Sequence, residues 1–453
     1  MKFVLLWSDL LIYLLTISVL AFFVLLKNNK QTQGRWLAVF QSKTGALSFL
    51  IIIFYVMIAL LDSIHYQKAV LVGSETHYSS EVTSLLDDLL SDLKNNTEVT
   101  YSRPFAIYSF AKENQRNAEG KLYRDYPRLL HGGVELATEA DKSSDVITRS
   151  AKALGWGLLL SAVLVFILSQ VQQRLLSSLP LPWKLVYSCV TLLTVLTVWV
   201  LKLSSVYHVL GTDKVGVDVL YQSLKAIRTG ILIGALSTLL TLPFAIGFGI
   251  SAGYFKGWVD DIIQYIYTTL ISIPDILLIA AAVLVLDVYI ESHSEHFELF
   301  IQRADFKFLT LCFILGMTSW TGLCRLLRAE TLKVSQLDYV QAAQAFGVSH
   351  RGIIFRHILP NVMHLVLISV VLNFSSFVLA ESVLSYIGVG VDSSIISWGN
   401  MINGARQELS RDPTVWWTIT AAFIWMFALV LSANLFADKV RDVFDPRSAG
   451  VAT

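Results

Sequence analysis

Two carboxylates of this chain lie inside long apolar runs, where an ionised group is costly. Asp275 follows Pro274 in SIPDILL, and Glu381 lies in AESVLSYIGVG near the end of another run. An intramembrane carboxylate is a candidate for a solute pathway. For Asp275 an alternative stays open, because a helix break at Pro274 frees backbone N–H groups that could satisfy the carboxylate. For Glu381, capping or tying of a helix is favoured over contact with a solute.

We predict no covalent chemistry for this chain. The Walker A pattern GxxxxGK[ST], whose backbone N–H groups hold phosphates, does not occur in the sequence. The segment ESHSEHFE (291–298) holds two histidines and three glutamates, but a solvated loop is favoured over a metal site because nothing fixes a coordination geometry. The cysteines lack CxxC spacing and are typical of small buried apolar residues. They are Cys189, Cys312 and Cys324. We therefore expect no catalytic residue, metal or cofactor on this chain.

The elements that must position these residues are membrane-spanning helices. Hydrophobic residues make up 55% of the 453 residues and charged residues 15%, with a mean hydropathy of +0.60, whereas soluble domains carry about 25% charged residues. Nine apolar runs are candidates to cross about 30 Å of hydrocarbon. They cover residues 5–26, 46–61, 153–168, 183–201, 230–252, 262–286, 308–327, 364–384 and 415–436. The sequence predicts an all-α polytopic membrane protein with about nine transmembrane helices.

The distribution of Lys and Arg predicts the orientation of these helices. Basic residues concentrate in the segments 27–43, 328–356 and 439–447, which all lie on one side if there are nine spans. Segments rich in Lys and Arg face the cytoplasm. We therefore expect the N-terminus outside and the C-terminus in the cytoplasm. The net charge of +1 gives no reason to expect a nucleic-acid partner.

Residues 62–152 form one long excursion, which this orientation places outside. In SSEVTSLLDDLLSDLKNN, apolar residues from Val82 to Leu93 share one helical face, with Ser80 as the predicted N-cap and Asn95–Asn96 as the stop. The stretch YSRPFAIYSFAK (101–112) is rich in aromatic residues and partly alternates, which predicts a strand. A small soluble region is therefore expected between the second and third spans.

The polar segment DYVQAAQAFGVSHRGIIFRHILPN (338–361) separates two apolar runs. Its Ala-rich first part predicts a helix over 339–346, ended by a left-handed turn at Gly347. Ser349 can cap a second helix, which we expect to stop at Leu359-Pro360. Pro360 then fits the first turn of the next span, where its missing N–H costs little. The pattern predicts a short helix–turn–helix on the membrane surface.

This segment resembles the EAA loop of binding-protein-dependent ABC importer permeases, in the branch for oligopeptides, dipeptides and nickel. RHILPN (356–361) matches the loop's ending, and Ala342, Ala343 and Gly347 match its scaffold. Gln341 stands where the branch has Glu, and Val217 where it has Arg. The resemblance runs in order over residues 204–450. Its other stretches are HVLGTDKVGVDVL (208–220), GYFKGWVDDII (253–263), SIPDILL (272–278), AESVLSYIGVG with SWGNMI (380–402) and DKVRDVFDPR (438–447).

The resemblance implies a type I ABC importer permease fold in the C-terminal half and a bacterial inner-membrane location. It implies transport of peptides, with two ABC ATPase subunits that carry ATP and Mg, a second homologous permease, a periplasmic solute-binding protein and the lipid bilayer as partners. The residues it assigns to contact with the ATPase are Tyr339, Gln341, Ala342, Ala343, Gly347, Ser349, Leu359 and Pro360. Alternatives are the same fold carrying nickel complexes, oligosaccharides or peptide antibiotics, or a degenerate permease acting as a membrane sensor or scaffold.

These inferences divide the chain into four parts. Residues 1–61 hold two additional helices, residues 62–152 the soluble region, and residues 153–203 two further helices, the second of which begins the permease core. Residues 204–453 hold five more core helices and the coupling loop 338–361. Because the resemblance begins near residue 204, we expect the first three spans and the soluble region to be an addition to the core.

Overall fold

The computed structural model describes residues 2–26, 30–72, 75–116, 122–136, 139–175, 180–293 and 300–444. Helices dominate these ranges, which confirms the predicted all-α membrane class. The helices are α1 (Trp7–Leu26), α2 (Lys30–Gln41), α3 (Lys43–Asp62), α4 (Leu85–Leu89), α5 (Ser91–Asn95), α6 (Lys142–Leu175), α7 (Trp183–Ser204), α8 (Val219–Phe255), α9 (Gly257–Ile271), α10 (Asp275–Ser292), α11 (Phe300–Thr318), α12 (Thr321–Val334), α13 (Asp338–Ala345), α14 (His350–Ile353), α15 (Leu359–Tyr386), α16 (Trp398–Ala405) and α17 (Trp417–Phe444). The strands are β1 (Lys2–Phe3), β2 (His65–Val72), β3 (Glu75–Ser84), β4 (Glu113–Arg116) and β5 (Leu122–Asp125).

Within the described ranges, seven helices are long and apolar enough to cross a membrane, or eight if one bent pair counts as a span. The predicted span 262–286 is wrong as a single helix, because α9 and α10 meet at 87°. Pro274 explains this break, since proline donates no N–H and disfavours helical geometry in the residue before it. The predicted first span corresponds to α1. Its apolar part, Trp7–Ala21, is shorter than the seven candidate spans.

Residues 65–72 and 75–95 fold differently from the sequence prediction. Strands β2 and β3 pair in antiparallel orientation, and β1 pairs with β2. The N-cap of α4 is Ser84 and not Ser80, because Ser84 and Asp87 form a reciprocal capping box. The predicted stop is confirmed, since α5 ends at Asn95.

The strand predicted over 101–112 is also wrong. In this segment, β-type pairing is limited to one isolated bridge, between Tyr108 and Arg128. The aromatic side chains that suggested a strand serve instead as packing groups of an irregular loop. The rings of Tyr101 and Phe110 lie 6.4 and 5.2 Å from the ring of Trp417.

The described chain forms two compact units, and α8 and α17 contribute residues to both. The first unit comprises Met1–Leu5, Phe40–Thr229 and Ile396–Leu429. This unit extends across the predicted boundary at residue 203, because the excursion 62–152 packs against residues that come after that boundary. Two apolar clusters show this packing. One joins Leu86, Leu90 and Leu93 to Leu220 and Tyr221, and the other joins Ile107 and Leu136 to Leu203, Tyr207 and Val209.

The second unit comprises Leu6–Val39, Gly230–Ile395 and Val430–Thr453. Its core is a cluster of apolar residues from α8, α9, α12 and the segment 340–366. Glycines let α8 and α12 approach closely: a Cβ on Gly249 would lie 2.8 Å from the carbonyl oxygen of Cys324, and one on Gly253 would lie 2.7 Å from that of Arg328. All three cysteines are buried free thiols, as the sequence predicts.

Candidate coupling loop

The first half of the loop 338–361 is a short helix closed by a left-handed glycine. Gly347 has φ +77°, which confirms the predicted turn. Its N–H donates to the carbonyl of Gln344 at 3.0 Å, and the N–H of Val348 donates to that of Ala343 at 3.1 Å. This pair of bonds is the Schellman motif. A Cβ on Gly347 would meet no atom within 4 Å, so the requirement for glycine is conformational rather than steric.

The second half enters the membrane without a stop. Ser349 caps α14, as predicted, by accepting the N–H of Gly352 at 3.3 Å. The predicted helix end at Leu359-Pro360 is wrong, because a continuous helix runs over His350–Tyr386. A π turn over Ile354–Ile358 joins α14 to α15.

This π turn accommodates Pro360, which donates no backbone N–H. Within the turn, the N–H of Leu359 donates to the carbonyl of Ile354, five residues earlier. The carbonyl of His357 accepts the side-chain amide of Asn361 at 2.6 Å. A side-chain donor and a wider turn thereby compensate for the irregular backbone around the proline.

The inner side of the loop is buried against the second unit. Val340, Ile353 and Ile358 are fully buried in its apolar cluster. Two polar contacts add direction to this packing. The hydroxyl of Tyr254 on α8 hydrogen-bonds Nδ1 of His350 at 2.8 Å, and the hydroxyl of Tyr339 accepts the amide of Asn361 at 2.9 Å. The loop is therefore held by α8 and by its own second helix.

The side of the loop that faces away from the core is exposed and partly aromatic. Phe346 is 88% exposed and Phe355 is 67% exposed. Phe346 was not predicted as a site residue, although an apolar residue directly before the turn glycine is visible in the sequence. Aromatic residues are enriched at the centres of protein interfaces, so these two rings are candidates for contact with a partner.

The predicted contact residues fall on both sides of the loop. Ala343 and Leu359 are half-buried and pack against the apolar cluster, so they help hold the loop in place. The side-chain amide of Gln341 donates to the carbonyl of Gln336 at 3.1 Å. The exposed members are Tyr339, Gln341, Ala342, Gly347, Ser349 and Pro360.

An ion pair fixes the helix that leads into the loop. Arg328 on α12 makes two hydrogen bonds to the carboxylate of Asp260 on α9, at 2.5 and 2.6 Å. A bidentate pair of this kind sets orientation as well as distance. The aspartate belongs to the motif GYFKGWVDDII, but its partner lies 68 residues away, beyond what local spacing predicts.

The two candidate pathway carboxylates lie on other elements. Asp275 is the first residue of α10, at the 87° break, and is exposed. Glu381 is buried near the end of α15, where it accepts the hydroxyl of Ser385 at 2.8 Å. The helix-tying interpretation of Glu381 fits this contact. Most of the candidate metal segment, residues 294–299, lies outside the described residues, as do residues 445–447 of the closing motif.

A buried charge cluster surrounds the motif at 208–220. Nδ1 of His208 lies 2.7 Å from Asp218, and its Nε2 lies 3.3 Å from Glu98. Burial alone would lower the pKa of His208, but the two carboxylates raise it to about 9. Burial alone would raise the pKa of Glu98, but hydrogen bonds from His208 and from three backbone N–H groups lower it to about 2. Glu98 was missed because it precedes the motif by 110 residues.

Comparison with known proteins shows the family to which the sequence of this chain belongs. The family described as "Binding-protein-dependent transport system inner membrane component" matches residues 245–450, which include the whole loop. The oligopeptide transport system permease protein OppC of Mycobacterium tuberculosis is 31% identical over 241 residues, which are 53% of this chain and 76% of that protein. The chain belongs to the binding-protein-dependent inner-membrane permeases.

Other relatives of this permease differ in the transport system that they serve. The glutathione transport system permease protein GsiD of Pectobacterium atrosepticum is 30% identical and covers 53% of this chain and 73% of its own length. The dipeptide transport system permease protein DppC of Alkalihalophilus pseudofirmus is 26% identical and covers 54% of this chain and 73% of its own length. The permease is thus a multi-pass membrane protein of a transport family, and its relatives are transport subunits rather than enzymes.

Proposed function

We propose that this permease is the membrane subunit of an ATP-driven importer and that its loop 338–361 couples an ATPase to solute passage. The observation that carries the proposal is the two-sided loop. The side that faces the core is buried and hydrogen-bonded, while Phe346 projects into the surroundings and is 88% exposed. A protruding aromatic on a fixed loop suits insertion into a groove of a partner.

The mechanical role follows from how the loop is joined to the helices around it. A push on Phe346 reaches α13, whose Val340 is buried in the core, and α15, which continues from the loop through the π turn. Packed elements transmit displacement because they shift as bodies rather than deform. Motion of an ATPase pair would move these helices. ATP and Mg belong to that partner.

The cargo we propose is a peptide. The names of relatives support it, since they include oligopeptide and dipeptide permeases. The solute passes between this chain and a second, similar permease, after delivery by a soluble binding protein. Asp275, exposed at the helix break, is the stronger candidate for a pathway residue, whereas Glu381 is engaged within its own helix.

The orientation we propose places the loop 338–361 in the cytoplasm of a bacterium and residues 62–136 outside the inner membrane. The basic residues around the loop support this placement through the positive-inside rule. The soluble region then faces the side on which a binding protein arrives.

Affinity purification of the tagged chain from its host in mild detergent tests the proposal. We expect two ABC ATPase subunits and a second permease to co-purify, and a solute-binding protein to be captured after mild cross-linking. Recovery of the chain alone, or with a signalling kinase, would contradict the transport role and favour the sensor or scaffold.

A further inference from the structure

The excursion after α3 is bonded to the start of α8 by buried charges, and the first of these contacts centres on Glu98. Its carboxylate accepts the backbone N–H groups of Leu130, His131 and Gly132 at 2.7, 2.8 and 3.0 Å. The same carboxylate faces His208, whose other nitrogen faces Asp218. Asp218 in turn accepts the N–H of Leu220 at 2.8 Å, in the first turn of α8.

The backbone is in contact at the same place. The N–H of Glu98 donates to the carbonyl of Gly216 at 2.9 Å. A Cβ on Gly216 would lie only 1.8 Å from the carbonyl oxygen of Glu98, and Gly216 also has φ +78°. The fit between the two loops therefore excludes any side chain at this position.

A second charge cluster lies one helical turn further along α8. Lys225 approaches Asp87 at 2.6 Å and Asp62 at 3.5 Å, and the hydroxyl of Tyr221 donates to Asp87 at 2.9 Å. Burial raises the pKa of Asp87, but Lys225 and the hydrogen bonds lower it below its usual value. Asp87 is also the residue that closes the capping box of α4 with Ser84, so one side chain orders both elements.

We infer that residues 62–72, 75–116 and 122–136 form a brace that positions the outer end of α8, through Glu98 and Asp87, and that transport depends on it. Both clusters and the packing of Leu86, Leu90 and Leu93 on Leu220 join the same two partners. Removal of one member of a buried ion pair is strongly destabilising, because it leaves an uncompensated buried charge. The predicted view of this region as an addition separable from the core does not fit such contacts.

The transport part of this inference rests on the proposed function, while the positioning part does not. Val209 is a suitable reporter, since it is buried beside His208 in the braced loop, and Val340 is a reporter buried in the coupling loop. Each is changed to Cys in the full-length chain, and maleimide labelling is measured in detergent against the parent with its three buried thiols.

Two changes release the brace in different ways. Glu98→Gln removes the charge with little change of size, and Gly216→Ala drives the two loops apart. Gly388→Ala is the control for Gly216→Ala, because Gly388 has φ +86° but a Cβ there would meet no atom within 4 Å. Glu113→Gln is the control for Glu98→Gln, because it removes the same charge at an exposed position of the same region.

We expect both variants to raise the labelling rate of Val209→Cys at least tenfold, with no change at Val340→Cys. Uptake of a radiolabelled trialanine should fall at least tenfold while the co-purified ATPase stays at the wild-type level. Unchanged labelling of Val209→Cys would overturn the brace, and so would labelling of both reporters, which indicates general unfolding. Faster labelling with normal uptake would overturn its role in transport. If the wild type itself neither takes up trialanine nor binds an ATPase, the proposed function fails while the labelling still tests the brace.

Discussion

At the scale of single residues, glycines and buried charges carry the specific roles. Gly347 and Gly216 both have positive φ, but Gly347 faces open space while Gly216 faces a neighbouring backbone. The sequence predicted the first from a local pattern of helix and turn. It could not predict the second, because the neighbour, Glu98, is more than a hundred residues away in the chain.

Gly347 offers a test of backbone conformation without steric change. Gly347→Val forces a β-branched residue into the left-handed region at a cost of about 1–3 kcal/mol and redirects α14. We expect normal insertion and abundance but less bound ATPase and less uptake. Gly347→Asn is the matched control, because Asn tolerates this conformation better. Equal ATPase binding by the Val and Asn variants would exclude a role for the turn geometry.

The pKa values of His208 and Glu98 predict how stability changes with pH. The pKa of His208 is raised from 6.5 to about 9, so its contribution is complete below pH 6.5 and is lost as pH rises towards 9. The pKa of Glu98 is lowered from 4.5 to about 2, so its contribution is lost as pH falls from 4.5 towards 2. The unfolding temperature of His208→Gln should lie well below that of the wild type at pH 6. The difference between the two temperatures should disappear by pH 9.5. A gap independent of pH would contradict the charged pair.

At the scale of elements, apolar periodicity predicted the existence of most helices but not how they bend. The sequence marks Pro274 and Pro360 equally as breaks, yet one produces an 87° turn and the other a continuous helix. The difference lies in compensation. Around Pro360 a π turn and the side chain of Asn361 satisfy the backbone, and such a partner is recognised only once the fold is known.

The approach of α8 to α12 predicts a sharp difference between two glycines. Gly253→Ala would place a Cβ 2.7 Å from the carbonyl oxygen of Arg328, so the helices must separate. We expect a loss of about 1–3 kcal/mol, measured as a lower unfolding temperature in detergent. Gly404→Ala on α16 is the control, because a Cβ there meets no atom within 4 Å. Similar unfolding temperatures for both variants would contradict the close packing.

At the scale of the whole molecule, the family and the multi-pass class followed from motifs and composition, and both are confirmed. The internal organisation was harder to predict. The excursion 62–152 had the composition of a separate soluble region, but its Glu98 contacts His208, just before α8, and its Asp87 contacts Lys225 of α8. Ion pairs between distant segments leave no local pattern in the sequence. The domain boundaries predicted from the sequence therefore differ from those that the contacts define.

The orientation is open to direct labelling. We expect Ser91→Cys, exposed on α5, to react with an impermeant maleimide in spheroplasts with intact inner membranes. Ala345→Cys, exposed on the coupling loop, should react only after that membrane is permeabilised. The reverse pattern would place the excursion in the cytoplasm and remove the loop from contact with any ATPase.

The coupling loop is tested most directly by truncating its exposed aromatic residue. Phe346→Ala truncates a residue that is 88% exposed, so the fold of the chain loses little packing. The control is Leu89→Ala, which truncates a 62% exposed residue of the excursion. Both variants should be as abundant as the wild type.

The measurement is the amount of ATPase co-purified per permease, with trialanine uptake at matched expression. We predict that Phe346→Ala weakens ATPase binding about tenfold, equivalent to about 1.4 kcal/mol, and lowers uptake, while Leu89→Ala leaves ATPase binding unchanged. Wild-type ATPase binding and uptake in both Phe346→Ala and Gly347→Val would contradict the coupling role of the loop. Residues 338–361 would then be an interfacial helix without a role in coupling.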